Sequence, residues 1–266
     1  MKVGITGITG RMGNLLLKAV IENQNLELGG GLADVNNTGN GLDIGLFCGV
    51  KETGVKITAN DNLKEFVNNC DCIIDFTVPE LTMDVAKIVA QQGKKIIIGT
   101  TGFSNEQIEK LKEYSENCLI IQSGNMSVGV NLLLNLIESA SKVLANYDAE
   151  ILEMHHKNKK DSPSGTALML GKAVADGRGL DFDKNKKLSR EGIVGARPEN
   201  EIGFATLRGG SVVGEHSVIF AGLDEVIELR HKAYSRQIFV SGAIRAAVWS
   251  TGKENGFYNM RDVLNS

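Results

Sequence analysis

The stretch KVGITGITGRMG, Lys2 to Gly13, decides the fold. A short β-type run, Val3-Gly4-Ile5, leads straight into Gly7-x-x-Gly10-x-x-Gly13, and an apolar periodicity suited to a helix runs from Arg11 to Asn23. Glycines so placed allow a tight turn and a close approach of backbone to a pyrophosphate, while the helix start offers N–H groups and a positive dipole. The spacing departs from G-x-G-x-x-G, and alone such a triplet describes any strand-to-helix turn. A second feature narrows it. Asp34 follows the next β-type run, about 20 residues on, where a carboxylate accepts hydrogen bonds from adenosine ribose hydroxyls. An acid there suits an unphosphorylated ribose. Val35-Asn36-Asn37 brings no arginine for a 2′-phosphate, which leaves Arg11 and Lys2 to meet one, so the reading leans to NADH over NADPH.

Outward from this stretch, β-type runs alternate with helical patterns as far as about Gln122. The runs are Leu26 to Leu32, Cys72 to Phe76, Lys95 to Ile98 and Leu119 to Ile121; the helical segments are Leu63 to Asn68, Leu81 to Gln92 and Asn105 to Asn117. Alternation of this kind builds βαβ units around a parallel sheet, with the ligand at the C-terminal ends of the strands. Two further glycine-bearing turns fall at such ends, Gly99-Thr100-Thr101-Gly102-Phe103 and Ser123-Gly124-Asn125-Met126-Ser127, and together they line a cofactor site.

After Gly124 the pattern changes. Asn131 to Asn146 reads as a helix, Glu150 to His155 as a strand, Ser164 to Ala175 as a helix and Lys184 to Glu201 as polar loop. Ile202 to Arg208, Ser211 to Phe220, Glu225 to His231 and Ile238-Phe239 read as consecutive strands of a meander. The expected architecture is α/β in two domains: a Rossmann-like parallel-sheet domain in the first half, then an α+β domain with a mostly antiparallel sheet. Trp249, among Ile244, Ala247 and Val248, reads as core packing on an amphipathic helix.

Composition excludes several classes. The chain of 266 residues carries 29 Lys and Arg against 32 Asp and Glu, a balance that argues against a general nucleic-acid surface. Small anionic substrates need only a local basic cluster and stay open. Cys48, Cys70, Cys72 and Cys118 form neither a C-x-x-C pair nor a zinc framework and read as reduced, structural thiols, which suits a cytoplasm. No apolar run has the roughly 20 residues a bilayer span needs, and MKVGITGITG lacks the apolar core of a signal peptide.

HHKNKKDSPSGTA, residues 155 to 167, concentrates the chemistry. Two of the four histidines lie here, with Lys157, Lys159 and Lys160 just before a Pro-Ser-Gly-Thr helix start. Ser164 suits an N-cap, and the same Ser164-Gly165-Thr166 start binds carboxylates well. His155 and His156 offer the imidazole that general acid–base work uses, but adjacent residues of a strand face opposite ways, so strand geometry alone admits only one of the two to catalysis. A metal site is not expected, because His216 and His231 are remote in sequence and no spacing matches a ligand set. His231-Lys232 and Ser235-Arg236 add positive charge that reads as solvated.

Taken together, Gly7-Ile8-Thr9-Gly10-Arg11-Met12-Gly13, Asp75-Phe76-Thr77, Gly99 to Phe103, Asn125 to Asn131, the block from His155 to Ala167 and the late stretch Met260 to Leu264 resemble the 4-hydroxy-tetrahydrodipicolinate reductase family. The resemblance runs in order over essentially the whole chain, and the block H-H-x-x-K-x-D-x-P-S-G-T is its most specific part. It implies reduction of a cyclic dicarboxylated imine by NADH or NADPH in the route to diaminopimelate and lysine, by a dinucleotide-binding domain over 1–126 completed by about 240–266 and a central substrate-binding and oligomerisation domain over 127–239 whose sheet forms a homotetramer. By matching positions it implies His155 as general acid–base residue and Lys159 as proton donor, with His156, Lys159, Gly165 and Thr166, joined by Ser164, around the substrate. Gly7, Ile8, Thr9, Gly10, Arg11, Met12, Gly13, Asp34, Phe76, Thr77, Gly99, Thr100, Thr101, Ser123, Gly124, Asn125 and Met126 would hold the cofactor. Two departures, Val35 after the acid and Val78 after Phe76-Thr77, stand where arginines often occur and weaken the case for NADPH. Two other readings share the glycine motif: a dehydrogenase of another small dicarboxylate, which gives no reason for the order of the 155–167 block, and a nucleotide-sensing binding protein, against which His155 and Lys159 argue.

Overall fold

In the computed structural model, which describes residues 1–265, strands and helices alternate from the first residues onward. In order they are β1 (Lys2–Thr6), α1 (Arg11–Glu22), β2 (Glu27–Ala33), α2 (Ile44–Phe47), β3 (Ile57–Ala59), α3 (Leu63–Asn68), β4 (Cys72–Asp75), α4 (Pro79–Gln91), β5 (Lys95–Ile98), α5 (Asn105–Tyr114) and β6 (Leu119–Gln122). Next come α6 (Val128–Val143), β7 (Asp148–His155), α7 (Gly165–Arg178), α8 (Phe182–Asn185), β8 (Lys186–Lys187), β9 (Ile202–Arg208), β10 (Gly214–Ala221) and β11 (Val226–Ala233). The order ends with α9 (Gln237–Trp249), β12 (Gly256–Tyr258) and α10 (Met260–Leu264). Residues 1–128 and the segment from Gln237 onward make one unit; Gly129–Arg236 makes the other.

The first unit is a seven-stranded sheet in the order β12-β6-β5-β4-β1-β2-β3, with every pairing parallel. Strand order reverses between β1 and β4, and in a doubly wound sheet the ligand crevice opens at that reversal, beyond the strands' C-terminal ends. The central strands are continuous apolar runs because both sheet faces are covered. Alternation sends Cys72, Ile74, Ile97 and Ile121 into a cluster with α1 and α9, and Ile73, Ile96, Ile98 and Ile120 into a second cluster with α3 and α4. α4 begins at Pro79 rather than Leu81, since proline at the first helical turn gives up an N–H that has no partner there anyway. β3 and β12 have three residues each, too few to show a period.

The structure corrects Ile238-Phe239, expected as a strand: both lie in the first turn of α9. A β-branched and an aromatic residue look strand-like locally, but the following turns bury Val240, Ala243, Ala246 and Ala247 completely, and tertiary burial decides. Trp249 packs against the same cluster and meets the Tyr258 ring edge-on at 5.3 Å.

The second unit holds a five-stranded mixed sheet in the order β11-β10-β7-β9-β8. The expected meander is not formed. β10 runs antiparallel to both β11 and β7, and β9, instead of pairing with β10, lies parallel to β7 and β8. The segment expected as polar loop opens inside α8 and includes β8. Registered rows cross the sheet. Ile227, Phe220, Ala149 and Ile202 form one; Leu229, Val218, Ile151 and Phe204 form the next, and both pack against α6 and α7. Two residues further along, that face turns polar: His231, His216, Glu153 and Thr206 form a row, and beyond it His155 pairs with Arg208, with Gly214 against the His155 ring.

Among the described residues no helix is long and apolar enough to cross a membrane. All four thiols are free, and burial pushes Cys70, Cys72 and Cys118 up to about 12, which keeps them unreactive.

At Gly242 a Cβ would fall 1.7 Å from the carbonyl oxygen of Met126, so α9 can seat only on a glycine there. Gly242→Ala is expected to lower stability by about 2 kcal/mol or more, read as a fall in the urea midpoint at unchanged slope. An unchanged midpoint would refute the packing.

Candidate active site

In the first unit the turn after β1 is shaped to receive a phosphate. Gly7 takes φ +62, and the Gly10 N–H closes the turn on the Gly7 carbonyl at 2.9 Å. A Cβ on Gly13 would stand 2.3 Å from that carbonyl and 2.6 Å from Ile8 Cα, so the helix can press onto the turn only without a side chain there. α1 has no side-chain cap and no acid in its first turn, which leaves its N–H groups and dipole for an anion. Asp34 sits exposed at the end of β2, its carboxylate accepting from the Asn36 backbone at 2.9 Å. Asn37 reaches across to Thr9 Oγ1 at 3.2 Å and so ties the acid's loop to the glycine turn. This cradle fits a dinucleotide.

Several expected cofactor residues can serve only through backbone. Ile8 and Met126 are core side chains. Gly99 lies under the Phe76 ring, where a Cβ would come within 2.3 Å of ring carbon. Thr100 spends its hydroxyl internally, accepting the Thr77 N–H at 2.8 Å and donating to Asp75 at 2.6 Å. Arg11, Thr101 and Gly124 are exposed, Met12 and Asn125 half-buried, and Ser123 is buried, donating to the Asn125 carbonyl at 2.8 Å.

Sequence reasoning missed what holds these turns together. The Asp75 carboxylate, fully buried, accepts from the hydroxyls of Thr6, Thr77 (2.7 Å), Thr82 (2.5 Å) and Thr100 (2.6 Å). One acid thereby fastens the ends of β1, β4 and β5 to the first turn of α4, using all the acceptor sites a carboxylate has.

The polar end of the second unit's sheet is organised by another buried acid. Glu153 is 1% exposed. Its carboxylate takes a bidentate pair from Arg208, at 2.8 and 3.0 Å, the Nδ1 of His155 at 2.6 Å and the Ser164 N–H at 3.0 Å. Burial pushes its pKa upward, but the hydrogen bonds from His155, Arg208 and Ser164 outweigh that and bring it to about 2. An ionised carboxylate only accepts, so Nδ1 of His155 carries a proton and Nε2 is the atom left to exchange one. Nε2 lies 3.1 Å from where a Cβ on Gly214 would be, so glycine is what leaves room for the ring.

The 155–167 block then divides. His155 ends β7 facing inward, whereas His156 lies past the strand end, half-buried, its Nδ1 without a hydrogen-bond partner among the described residues. Of the three lysines only Lys159 is drawn in; its ammonium pairs with Asp161 at 2.9 Å, and Lys157 and Lys160 are exposed. Asp161, raised by partial burial, ends below its usual value because that ammonium donates to it. Ser164 caps α7 by accepting the Ala167 N–H at 3.2 Å. A Cβ on Gly165 would meet nothing within 4 Å, so the helix start is open above its first residue.

His216, set aside as remote in sequence, belongs to this cluster. Its ring meets that of His155 at 5.0 Å, edge to face, and its Nε2 lies 3.0 Å from Ser164 Oγ. Burial, with the neighbouring His155, pushes its pKa down to about 4, so it is uncharged at neutral pH. A signal for Glu153 was present: it shares strand parity with His155 two residues on. For Arg208 and His216 there was none, since sheet register alone brings them in.

Fold and site define a nucleotide-dependent oxidoreductase with one Rossmann-type unit and a separate unit that can seat an anion beside a histidine. The profile described as "Dihydrodipicolinate reductase, N-terminus" matches residues 1–126, and that described as "Dihydrodipicolinate reductase, C-terminus" matches residues 129–264. The chain belongs to the dihydrodipicolinate reductase family, whose members are NAD(P)H-dependent. It is similar to 4-hydroxy-tetrahydrodipicolinate reductase of Methylocella silvestris, 47% identical over 99% of this chain and 97% of that protein. The enzyme of that name from Hahella chejuensis is 44% identical over 99% and 98%. Among solved structures, a dipicolinate-bound dihydrodipicolinate reductase from Paenisporosarcina sp. TG-14 superimposes with a TM-score of 0.75 at 26% identity, covering 97% of each chain.

Glu153→Gln removes the charge while keeping the shape, and leaves the Arg208 guanidinium without its anion. Stability at pH 7 is expected to fall by about 3–5 kcal/mol. A carboxylate whose folded pKa is depressed contributes stability above its usual value of 4.5 and loses it as pH falls towards about 2. Urea midpoints followed across that window should therefore drop in the parent protein and flatten in the variant; parallel curves would refute the assignment.

Proposed function

We propose that this chain reduces 4-hydroxy-tetrahydrodipicolinate to tetrahydrodipicolinate with NADH or NADPH, in diaminopimelate and lysine biosynthesis, seating the substrate's carboxylates at the start of α7. The observation that carries this reading is the opening of α7: unobstructed above Gly165, anchored through the Ser164 N–H on Glu153, and flanked by His155 and Lys159. Two substrate carboxylates need donors out of water, and a helix N-terminus with an ammonium beside it supplies them. Ser164, Gly165 and Thr166 serve as the seat, with His156 and Lys159 beside it.

When bound, the reduced nicotinamide supplies a hydride. The electron density left on the ring must then be met by a proton. Lys159 Nζ carries one and leaves Asp161 to deliver it, while His155, held by Glu153 with Nδ1 protonated, receives or relays a proton at Nε2. In the first unit Gly7 to Gly13, Asp34, Phe76-Thr77, Gly99 to Thr101 and Ser123 to Met126 hold the dinucleotide. Asp34 followed by Val35 favours NADH. The outer face of the five-stranded sheet, where Leu207 and Val226 are exposed, supports a homotetramer assembled there. Four free thiols suit a reducing cytoplasm.

Steady-state oxidation of NADH and NADPH with enzymatically generated substrate tests the reading. The expected results are turnover, a larger kcat/KM for NADH, and a loss of about 10²–10⁴ in kcat for Lys159→Ala with NADH affinity retained. Absence of turnover with either cofactor in folded protein, or an unchanged rate in the variant, would contradict it.

A further inference from the structure

Ser164 and His216 face each other in a way that the seating of an anion must resolve. Ser164 is 2% exposed and His216 5% exposed. The serine oxygen already accepts the Ala167 N–H, and His216 Nε2, at 3.0 Å, is the only other group that the described residues place within hydrogen-bond reach of the hydroxyl. His216 Nδ1 is buried, and among the described residues it has no hydrogen-bond partner. Around the ring stand His155 edge-on, Glu153 and His231 in the same registered row, and Lys159 through its charge.

A neutral imidazole and a hydroxyl can share one hydrogen bond in two directions. If Ser164 donates to Nε2, the imidazole proton sits on Nδ1 as a buried N–H without an acceptor, and the serine turns only a lone pair outward. If Nε2 donates to Ser164, both serine lone pairs are filled, by Ala167 and His216, and the hydroxyl hydrogen is free to point away. A carboxylate arriving at the start of α7 repels the first arrangement and is bonded by the second. The second also leaves on Nδ1 a bare lone pair, and a buried acceptor without a partner is tolerated more often than an orphaned N–H.

Resting on the dicarboxylate reading above, we infer that His216 is a positioning residue for substrate binding: its Nε2–H donates to Ser164 Oγ and makes that hydroxyl an obligate donor to a substrate carboxylate. Burial, which holds the ring uncharged, leaves a single ring proton to be placed and so makes the direction of this bond a real choice. His216 thus acts on specificity for anions without touching the substrate. A ligand offering an amide N–H in place of the carboxylate would meet a hydrogen instead of an acceptor and bind poorly.

Two measurements on the full chain, with pyridine-2,6-dicarboxylate as the probe, test this. In protein labelled with ¹⁵N at histidine, the probe complex should show His216 protonated at Nε2 and bare at Nδ1 at neutral pH; a complex with Nε2 bare overturns the inference, and this readout needs no substitution. By calorimetry, His216→Leu should weaken probe binding about tenfold to a hundredfold, the range for a hydrogen bond to a charged group. His216→Gln, whose amide can donate from the Nε2 position, should recover most of that loss. In a Ser164→Ala background His216→Leu should cost nothing further, because its effect passes through the hydroxyl. An equal loss in both backgrounds, or none in either, overturns the inference. If Ser164→Ala by itself leaves probe affinity unchanged, the anion does not rest on this hydroxyl and the role of His216 falls, whereas the α7 seat itself falls only if pyridine-2,6-dicarboxylate fails to bind the parent protein.

Discussion

A single buried negative charge holds the reactive end of the second unit in place. Glu153 lies where an apolar sheet face would otherwise continue, and an ion there survives only if its acceptor sites are filled. The partners that fill them come from three parts of the chain: Arg208 from the neighbouring strand, His155 from the same strand and Ser164 from the start of α7. Each is thereby oriented. His155 is held in one tautomer, Arg208 is committed and cannot compete for a substrate, and the helix whose first turn is open is pinned to the sheet that carries the histidine. The charge arrangement is local, and little of it is exposed to screening by salt.

The first unit uses the same device with different chemistry. Asp75 is also buried, and it gathers threonine hydroxyls instead of a guanidinium. Hydroxyl donors are short and leave no side chain projecting over the strand ends, so the carboxylate can lie beneath turns whose cradle fits a dinucleotide. The glycines above it have complementary tasks: Gly13 lets α1 close on the turn, and Gly99 makes room for the Phe76 ring. In each unit, a buried carboxylate organises donors beneath a surface that the backbone leaves open.

Much of this was legible in the sequence. Both faces of the first sheet are covered, so its strands appear as unbroken apolar runs, and the glycine turn marks the ligand end. The 155–167 block is legible because its chemistry is local: a strand end, a basic loop and a helix start in thirteen residues. What escaped depends on register. Arg208 and His216 reach Glu153 and Ser164 only because β9 and β10 flank β7, one on each side, instead of pairing with each other. The order of strands in the second sheet cannot be read from turn signals, which describe adjacent strands alone. Ile238-Phe239 failed for a related reason: two residues of high β-propensity sit in a helix whose burial outweighs them.

On the reading proposed above, the first turn of α7, pinned by Glu153, is where an anionic substrate rests. A crystal structure of this protein with pyridine-2,6-dicarboxylate tests it most directly. The expected result is a carboxylate of the ligand within hydrogen-bond distance of the backbone N–H groups that open α7 and of Ser164 Oγ, with His155 and Lys159 beside the ring. A ligand anchored elsewhere, with the start of α7 left bare, would contradict it.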